Sequence, residues 1–331
     1  MSRTDFASGS PLSFALVSVT SLEDSLAFYR DRIGLQASPV VELPAFEPGF
    51  IAAGAAPGPS SAPARVAICG EPGLPVGRVL LVEYAGARDR TVRQPGDRTT
   101  RGLWNLNFYV DDIRATTRQL RAEGFEFWSD PVQYEVGKAA GTAIEVVFEG
   151  PDGVAINLVQ PEGGPDSFTG RVRAEVLLHG KTRTGFTPVA TTAHCVRDLA
   201  RASAFYRSVL GMQVVLDEIL GKPETNHFLA RPLDAQTHTM FMAGTHFYGK
   251  VALNEPRNYA VPERVDEARA PRIGYLAQGF LVPDLGRIES EWRGEAARRM
   301  LLRGVPGLPD SRALQLRIPG SGALALLVQA G

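Results

Sequence analysis

Apolar and polar positions along this chain change period in a fixed order, and that order comes round four times. Residues 14–19 form a short apolar run with strand character. Ser21 stands where a helix N-cap belongs, with Asp24 at capping-box spacing, and Leu22, Leu26 and Tyr29 recur at helical intervals. Gly34 fits the helix stop. Three further strands are predicted at 36–42, 65–69 and 78–84, so the unit reads β-α-β-β-β. The Pro-, Gly- and Ala-rich stretch 44–63 reads as a long loop between the first two of them.

The second unit opens with an alternating strand at 105–110. Asp112 caps a helix running to about Glu123, and Gly124 stops it. Strands follow near Tyr134, at 143–148 and at 154–160, with the turn Pro151-Asp152-Gly153 before the last. A third unit starts near Val189, with Asp198 as cap, a helix to Val209, and strands at 213–219, 237–243 and 250–254. A fourth starts near Tyr275, with Asp284 as cap, a helix through Trp292 and a final strand at 323–329. Ala27-Phe28-Tyr29-Arg30 and Gly34 return as Ala204-Phe205-Tyr206-Arg207 and Gly211, and 158–160 and 327–329 both read Leu-Val-Gln. The chain is therefore a duplicated α+β sequence, with units one and two repeated as three and four.

Composition narrows the class without naming a function. A chain of 331 residues with 44% apolar and 21% charged residues suits two globular domains. The net charge is −1 with no Lys/Arg block, which gives no footprint for nucleic acid or an anionic membrane surface. Cys69 and Cys195 are the only cysteines, so a disulfide scaffold is excluded and a reducing, cytoplasmic setting is expected. No apolar run approaches the roughly 20 residues of a membrane span, and the first residues lack the apolar core of a signal peptide.

The capped helix ending in Phe-Tyr-Arg, followed by Gly-Leu or Gly-Met, resembles the vicinal oxygen chelate superfamily, as does the Pro-Asp-Gly-Val turn before a terminal strand. Its members include glyoxalases, extradiol dioxygenases, fosfomycin-resistance transferases and bleomycin-binding proteins. The resemblance implies an α+β fold of four βαβββ modules paired into two homologous half-open-barrel domains. Residues 1–165 would hold modules one and two, 166–184 a connector, and 185–331 modules three and four. It also implies a concave face that holds a divalent metal and a substrate with adjacent oxygens.

Members of this superfamily place a His on the first strand, seven positions before the cap, and a Glu or related ligand on the last strand. Here the first-strand positions are Phe14, Asn105, Thr191 and Ala277, and the last-strand positions align as Leu81, Asn157, Leu253 and Leu326. None is the imidazole or carboxylate that replaces an ion's water shell. The expectation is no metal and no cofactor. An unconventional site among His227, His238 and His246 stays open.

Other side chains compete for a catalytic role. Glu83 and Glu255 fall on equivalent strands, either as bases facing a cup or as rim carboxylates. His238 and His246 flank a strand and its turn, with Tyr248 nearby, and offer proton transfer. His194 reads as a hydrogen-bonded core residue. Asn105, Asn107, Tyr109 and Asn157 share an inward parity with Phe14, Leu16 and Ser18, either orienting a polar ligand or closing a disused cavity. The other cup would carry Thr191, Ala193, Cys195, Ala277, Gly279, Leu281, Leu324 and Leu326, leaving room for a hydrophobic ligand or for residues of the 222–236 loop. Cys195 has no visible activating partner and suits a small buried role.

The sequence thus points first to a metal-independent enzyme that moves protons on a small organic molecule, of isomerase, epimerase or lyase type. A small-molecule sequestering protein of the bleomycin-resistance type is the alternative. An extradiol-type dioxygenase would need two His and one Glu to converge. A small organic ligand is the expected partner, with a homodimer left open.

Overall fold

The structure is a computed structural model that describes residues 9–50, 62–86, 90–137, 140–294 and 297–331. Most of the predicted 44–63 loop lies outside the described residues. The first unit comprises β1 (Leu12–Ser18), α1 (Leu22–Leu26, continued by a π-helical turn over Ala27–Arg32), β2 (Gln36–Ala37), β3 (Val41–Phe46), β4 (Ala62–Gly70) and β5 (Arg78–Tyr84). The second has β6 (Gly102–Tyr109), α2 (Ile113–Ala122), β7 (Val132–Gly137), β8 (Gly141–Glu149) and β9 (Ala155–Glu162). A connecting helix, α3 (Phe168–His179), leads to the third unit. That unit has β10 (Thr191–Cys195), α4 (Leu199–Ser208), β11 (Gln213–Leu220), α5 (Pro223–Phe228), β12 (Thr237–Ala243) and β13 (Lys250–Pro256). The fourth has β14 (Gly274–Val282), α6 (Leu285–Glu291), β15 (Arg298–Leu302), β16 (Ser311–Arg317) and β17 (Leu324–Gln329).

All four caps form as the sequence spacing requires. Ser21, Asp112, Asp198 and Asp284 each accept a hydrogen bond from the amide three residues on, at 2.8–3.2 Å. These bonds satisfy amides that the first helical turn would otherwise leave open. Each helix then lies against one face of its strands, in a common apolar cluster that includes Val17, Tyr29, Phe108, Phe205 and Phe280.

The strands assemble into two sheets. One runs β15-β16-β17-β14-β1-β5-β4-β2, with β3 also paired to β4; the other runs β11-β12-β13-β10-β6-β9-β8-β7. Unit one therefore shares a sheet with unit four, and unit two with unit three. This corrects the expectation that sequence-adjacent units, one with two and three with four, build each cup. The periodicity defines each unit but not whose first strand will cover its free edge. Side-chain fit at the seam distinguishes the partners: Phe14 lies opposite Gly279, and a Cβ at 279 would fall 2.2 Å from the Phe14 ring.

The two cups differ in what fills them. In the nine-stranded sheet, Phe14, Leu16, Leu80, Val82, Leu276 and Leu326 pack with Phe46, Tyr84 and Met300 into an apolar cluster. In the eight-stranded sheet a cavity persists. No helix among the described residues is long and apolar enough to cross a membrane.

Candidate functional site

The cavity, about 80 Å³, sits on the concave side of the eight-stranded sheet between units two and three. By the roughly 10–15 Å³ that one water needs, it admits a small molecule rather than a polymer. Strand alternation brings Asn105, Asn107 and Tyr109 of β6 to its wall, with Asn157 of β9 and Thr191 and Ala193 of β10. Five of the six residues expected to bind ligand thus converge. They do so across β6–β10, in one cup rather than in two. Cys195, the sixth, is buried in the apolar cluster and does not line the cavity; burial pushes its thiol up to about 11. The walls are otherwise aromatic and aliphatic, with Trp104, Phe168, Phe228 and Phe241 among them. Phe228, Leu229 and Arg231 come from the 222–236 segment, which supplies part of the wall.

At the centre of the polar wall lies Glu145 of β8, which the sequence reading passed over. Tyr134 donates its hydroxyl to Oε1 at 2.7 Å, and Asn157 donates Nδ2 to Oε2 at 2.7 Å. Burial raises the Glu145 carboxyl above its ordinary value, and the two hydrogen bonds offset this only in part. It has no cationic partner among the described residues. One signal was available: Glu145 is the single charge in the apolar run 143–148.

Several buried polar atoms around the cavity are unpaired. Asn107 Oδ1, Asn157 Oδ1 and Trp104 Nε1 have no hydrogen-bond partner among the described residues. Asn105 differs, since its Oδ1 accepts from the Ala193 amide at 2.7 Å across the seam. Asn254 is likewise engaged, accepting from the Thr239 hydroxyl at 2.9 Å. Two orphaned acceptors and one orphaned donor at a cavity wall are what a polar ligand would satisfy.

Arg231 borders the same cavity. It is 8% exposed, and its Nε and Nη1 donate to the hydroxyls of Thr99 at 3.2 Å and Thr237 at 3.0 Å. Its Cζ lies 5.7 Å from the Tyr259 ring centroid. Burial lowers its pKa from the usual arginine value.

The acids and histidines expected to do chemistry lie elsewhere. Glu83 Oε2 accepts from the Leu22 amide at 3.0 Å, and Glu255 Oε1 from the Leu199 amide at 3.1 Å. Both therefore hold helix N-termini; Arg65 and Arg257 pair with them from the surface side. Gln160 and Gln329 make the same bond to Ile113 and Leu285, each at 2.9 Å. His238 sits on the face of β12 opposite Thr239 and Phe241, between Asp217 at 2.6 Å and Arg257 at 2.9 Å. His246 accepts from the Tyr248 amide at 2.9 Å and packs on His179, while Tyr248 donates its hydroxyl to the Gly180 carbonyl at 2.9 Å. Burial, first, and His179 hold His246 down to about 4. His194 is a core residue as expected, bonded to the Tyr206 hydroxyl at 2.9 Å and lowered to about 3 by burial.

The repeated bond to the helix N-terminus also fixes strand register. It lies three residues beyond the inward position, so that position is Leu80, Asn157, Ala252 and Leu326 in the four units. Leu81 and Leu253 face the helices instead, a one-residue slip that turns a side chain to the other face. The corrected set, with Phe14, Asn105, Thr191 and Ala277, still contains no imidazole or carboxylate. His227 is exposed on α5, and among the described residues no three His, Cys, Asp or Glu side chains converge on a metal-holding geometry. The donors present do not fit a tightly held divalent ion.

Cups built from paired βαβββ units define a class, and the comparisons agree. Residues 12–158 match the model of the Glyoxalase/Bleomycin resistance protein/Dioxygenase superfamily. No curated protein matches in sequence. A glyoxalase I mutant from Zea mays is 14% identical, with 98% of this chain and 95% of that one covered and a TM-score of 0.62. Glyoxalase I from Zea mays is 16% identical over the same shares, with a TM-score of 0.59. A dioxygenase-like protein from Bacillus subtilis is 13% identical, covering 97% of this chain and 86% of that one, with a TM-score of 0.56. At these identities the likeness is one of fold.

Proposed function

We propose that the cavity between units two and three is the active site of a cytosolic, metal-independent enzyme that transfers a proton on a small organic molecule. The reaction would be of isomerase, epimerase or lyase type. One observation carries this reading: a buried carboxyl group, Glu145, is held by two hydrogen bonds at the polar wall of the cavity beside unpaired polar atoms. A carboxylate raised by burial is a stronger base than one in water, and general base catalysis is most effective when the base's pKa nears the working pH.

In this reading Glu145 takes a proton from the substrate and returns it. Tyr134 and Asn157 fix the carboxyl so that one lone pair faces the substrate. Trp104 Nε1 supplies an unused donor for an oxygen that gains negative charge, and Asn107 Oδ1 accepts from a hydroxyl or amine. The apolar walls exclude water and keep the proton between enzyme and substrate.

The test is solvent exchange. The protein is incubated in D₂O with a panel of small enolisable carbonyl compounds, and C–H loss is followed by proton NMR, with and without EDTA. Exchange that persists with EDTA and falls roughly 10²–10⁴-fold in Glu145→Gln is expected. Equal exchange in the variant would end the proposal. The aromatic walls also suit a sequestering protein, which would bind panel members and exchange none of them.

A further inference from the structure

Arg231 is the second charged group at the cavity, and no carboxylate of the described residues pairs with it. Its two hydrogen bonds go to neutral hydroxyls, and Nη2 has no hydrogen-bond partner among the described residues. Glu145, in the same cavity, is taken up by Tyr134 and Asn157 instead. Neither group neutralises the other. A buried cation without a counter-ion is costly to the fold, so this guanidinium is either a structural anomaly or half of a pair that a ligand completes.

The backbone around Arg231 is built to hold it there. Ala230 adopts φ 49°, a left-handed conformation that a residue with a Cβ rarely takes. Asn226, at the end of α5, pins both sides of the turn: its carbonyl accepts from the Arg231 amide at 2.9 Å, and its Nδ2 donates to the Leu233 and Ala235 carbonyls at 3.0 and 2.9 Å. Thr99 and Thr237 then fix two edges of the guanidinium plane. Strain and buried hydrogen bonds spent on aiming one side chain at a cavity are features of sites rather than of packing.

Resting on the proton-transfer reading above, we propose that the substrate is a small carboxylic acid whose carboxylate pairs with Arg231 while its body lies along the aromatic wall toward Glu145. A guanidinium with open N–H groups in a plane matches the two oxygens of a carboxylate, and such a pair gains strength away from water. The arrangement also explains how a chain of net charge −1 draws in an anion without a basic surface. A guanidinium keeps its proton inside proteins, so the group is a cation when the ligand arrives.

The test uses acids and their uncharged isosteres. Butyrate and benzoate, with butyramide and benzamide, are titrated into the intact protein by calorimetry. At least one acid is expected to bind ten-fold or more tightly than its amide, and Arg231→Gln to reduce that ratio to near one by weakening the acid. Equal affinity for acid and amide in the wild type, or a preference that survives Arg231→Gln, overturns the proposal. Should that variant fail to fold, wild-type crystals soaked with 4-bromobenzoate decide: bromine anomalous signal in the cavity with the carboxylate against Arg231 supports it, and binding only elsewhere refutes it. A preference for acids without any C–H exchange would retain carboxylate recognition and reject the proton-transfer role, so the two readings fail separately.

Discussion

Asn157 donates to Glu145 Oε2 at 2.7 Å while its own Oδ1 points to no partner among the described residues. The amide therefore holds the carboxyl group with one end and leaves the other unpaired. The bond favours the ionised form of Glu145, yet burial outweighs it.

The sign of that balance sets a pH profile. A carboxyl whose folded pKa lies above its unfolded value of about 4.3 penalises the folded state once pH exceeds that value, and imposes nothing below it. Glu145→Gln should therefore melt higher than wild type at pH 8, and the two should converge below about pH 4. Thermal melts across this range check it. A variant less stable at pH 8 would mean that the ionised carboxylate is favoured by the fold.

Lys250 carries the opposite titration. It is fully buried; its Nζ donates to the Phe247 carbonyl and lies 3.9 Å from that ring's centroid. Burial pushes its pKa down to about 7, against about 10.4 in an unfolded chain. The unfolded state binds more protons between these values, so stability should rise as pH increases from about 7 to 10. Lys250→Met should remove this slope in urea denaturation, and an unchanged slope would assign it to other groups.

Glu83 and Glu255 act at helix starts. Truncating either to Ala should cost about 1 kcal/mol, in the range of lost N-terminal helix hydrogen bonds. Ligand affinity in the cavity should not change. Chemical denaturation beside calorimetric titration separates these readouts; an affinity change with no stability change would return Glu255 to a role in binding.

At the β1–β14 seam, Gly279→Ala should destabilise by about 1–3 kcal/mol through overpacking against Phe14. Adding Phe14→Leu should recover part of the loss, because the smaller side chain vacates the space the new methyl needs. A double-mutant cycle measures the coupling. Strict additivity would mean that the two residues do not meet.

The fold was largely legible because it is written in short-range signals. Ser21, Asp112, Asp198 and Asp284 begin their helices by local hydrogen bonding, and repetition of Phe-Tyr-Arg exposed the duplication. The asparagine wall was legible too, since β6 is long and its alternation is clean. The chemistry of the site was not. His238 and Thr239 are neighbours on β12, and only register shows which one faces inward. Arg231 lies in an irregular segment between α5 and β12, where no periodicity says which way a side chain turns. Strand pairing depends on contacts such as Phe14 with Gly279 that are remote in sequence.

The order of strands in the two sheets also dictates when each can be completed. The units nest like brackets, an inner pair enclosed by an outer one. During synthesis the inner sheet has all its strands once β13 emerges, whereas β1 must wait for β14, by far the longest delay of any strand pairing here. Until then its hydrogen-bonding edge is open to other chains. The inner half, which carries the cavity between units two and three, can thus mature first, and the outer half is the last to close its sheet.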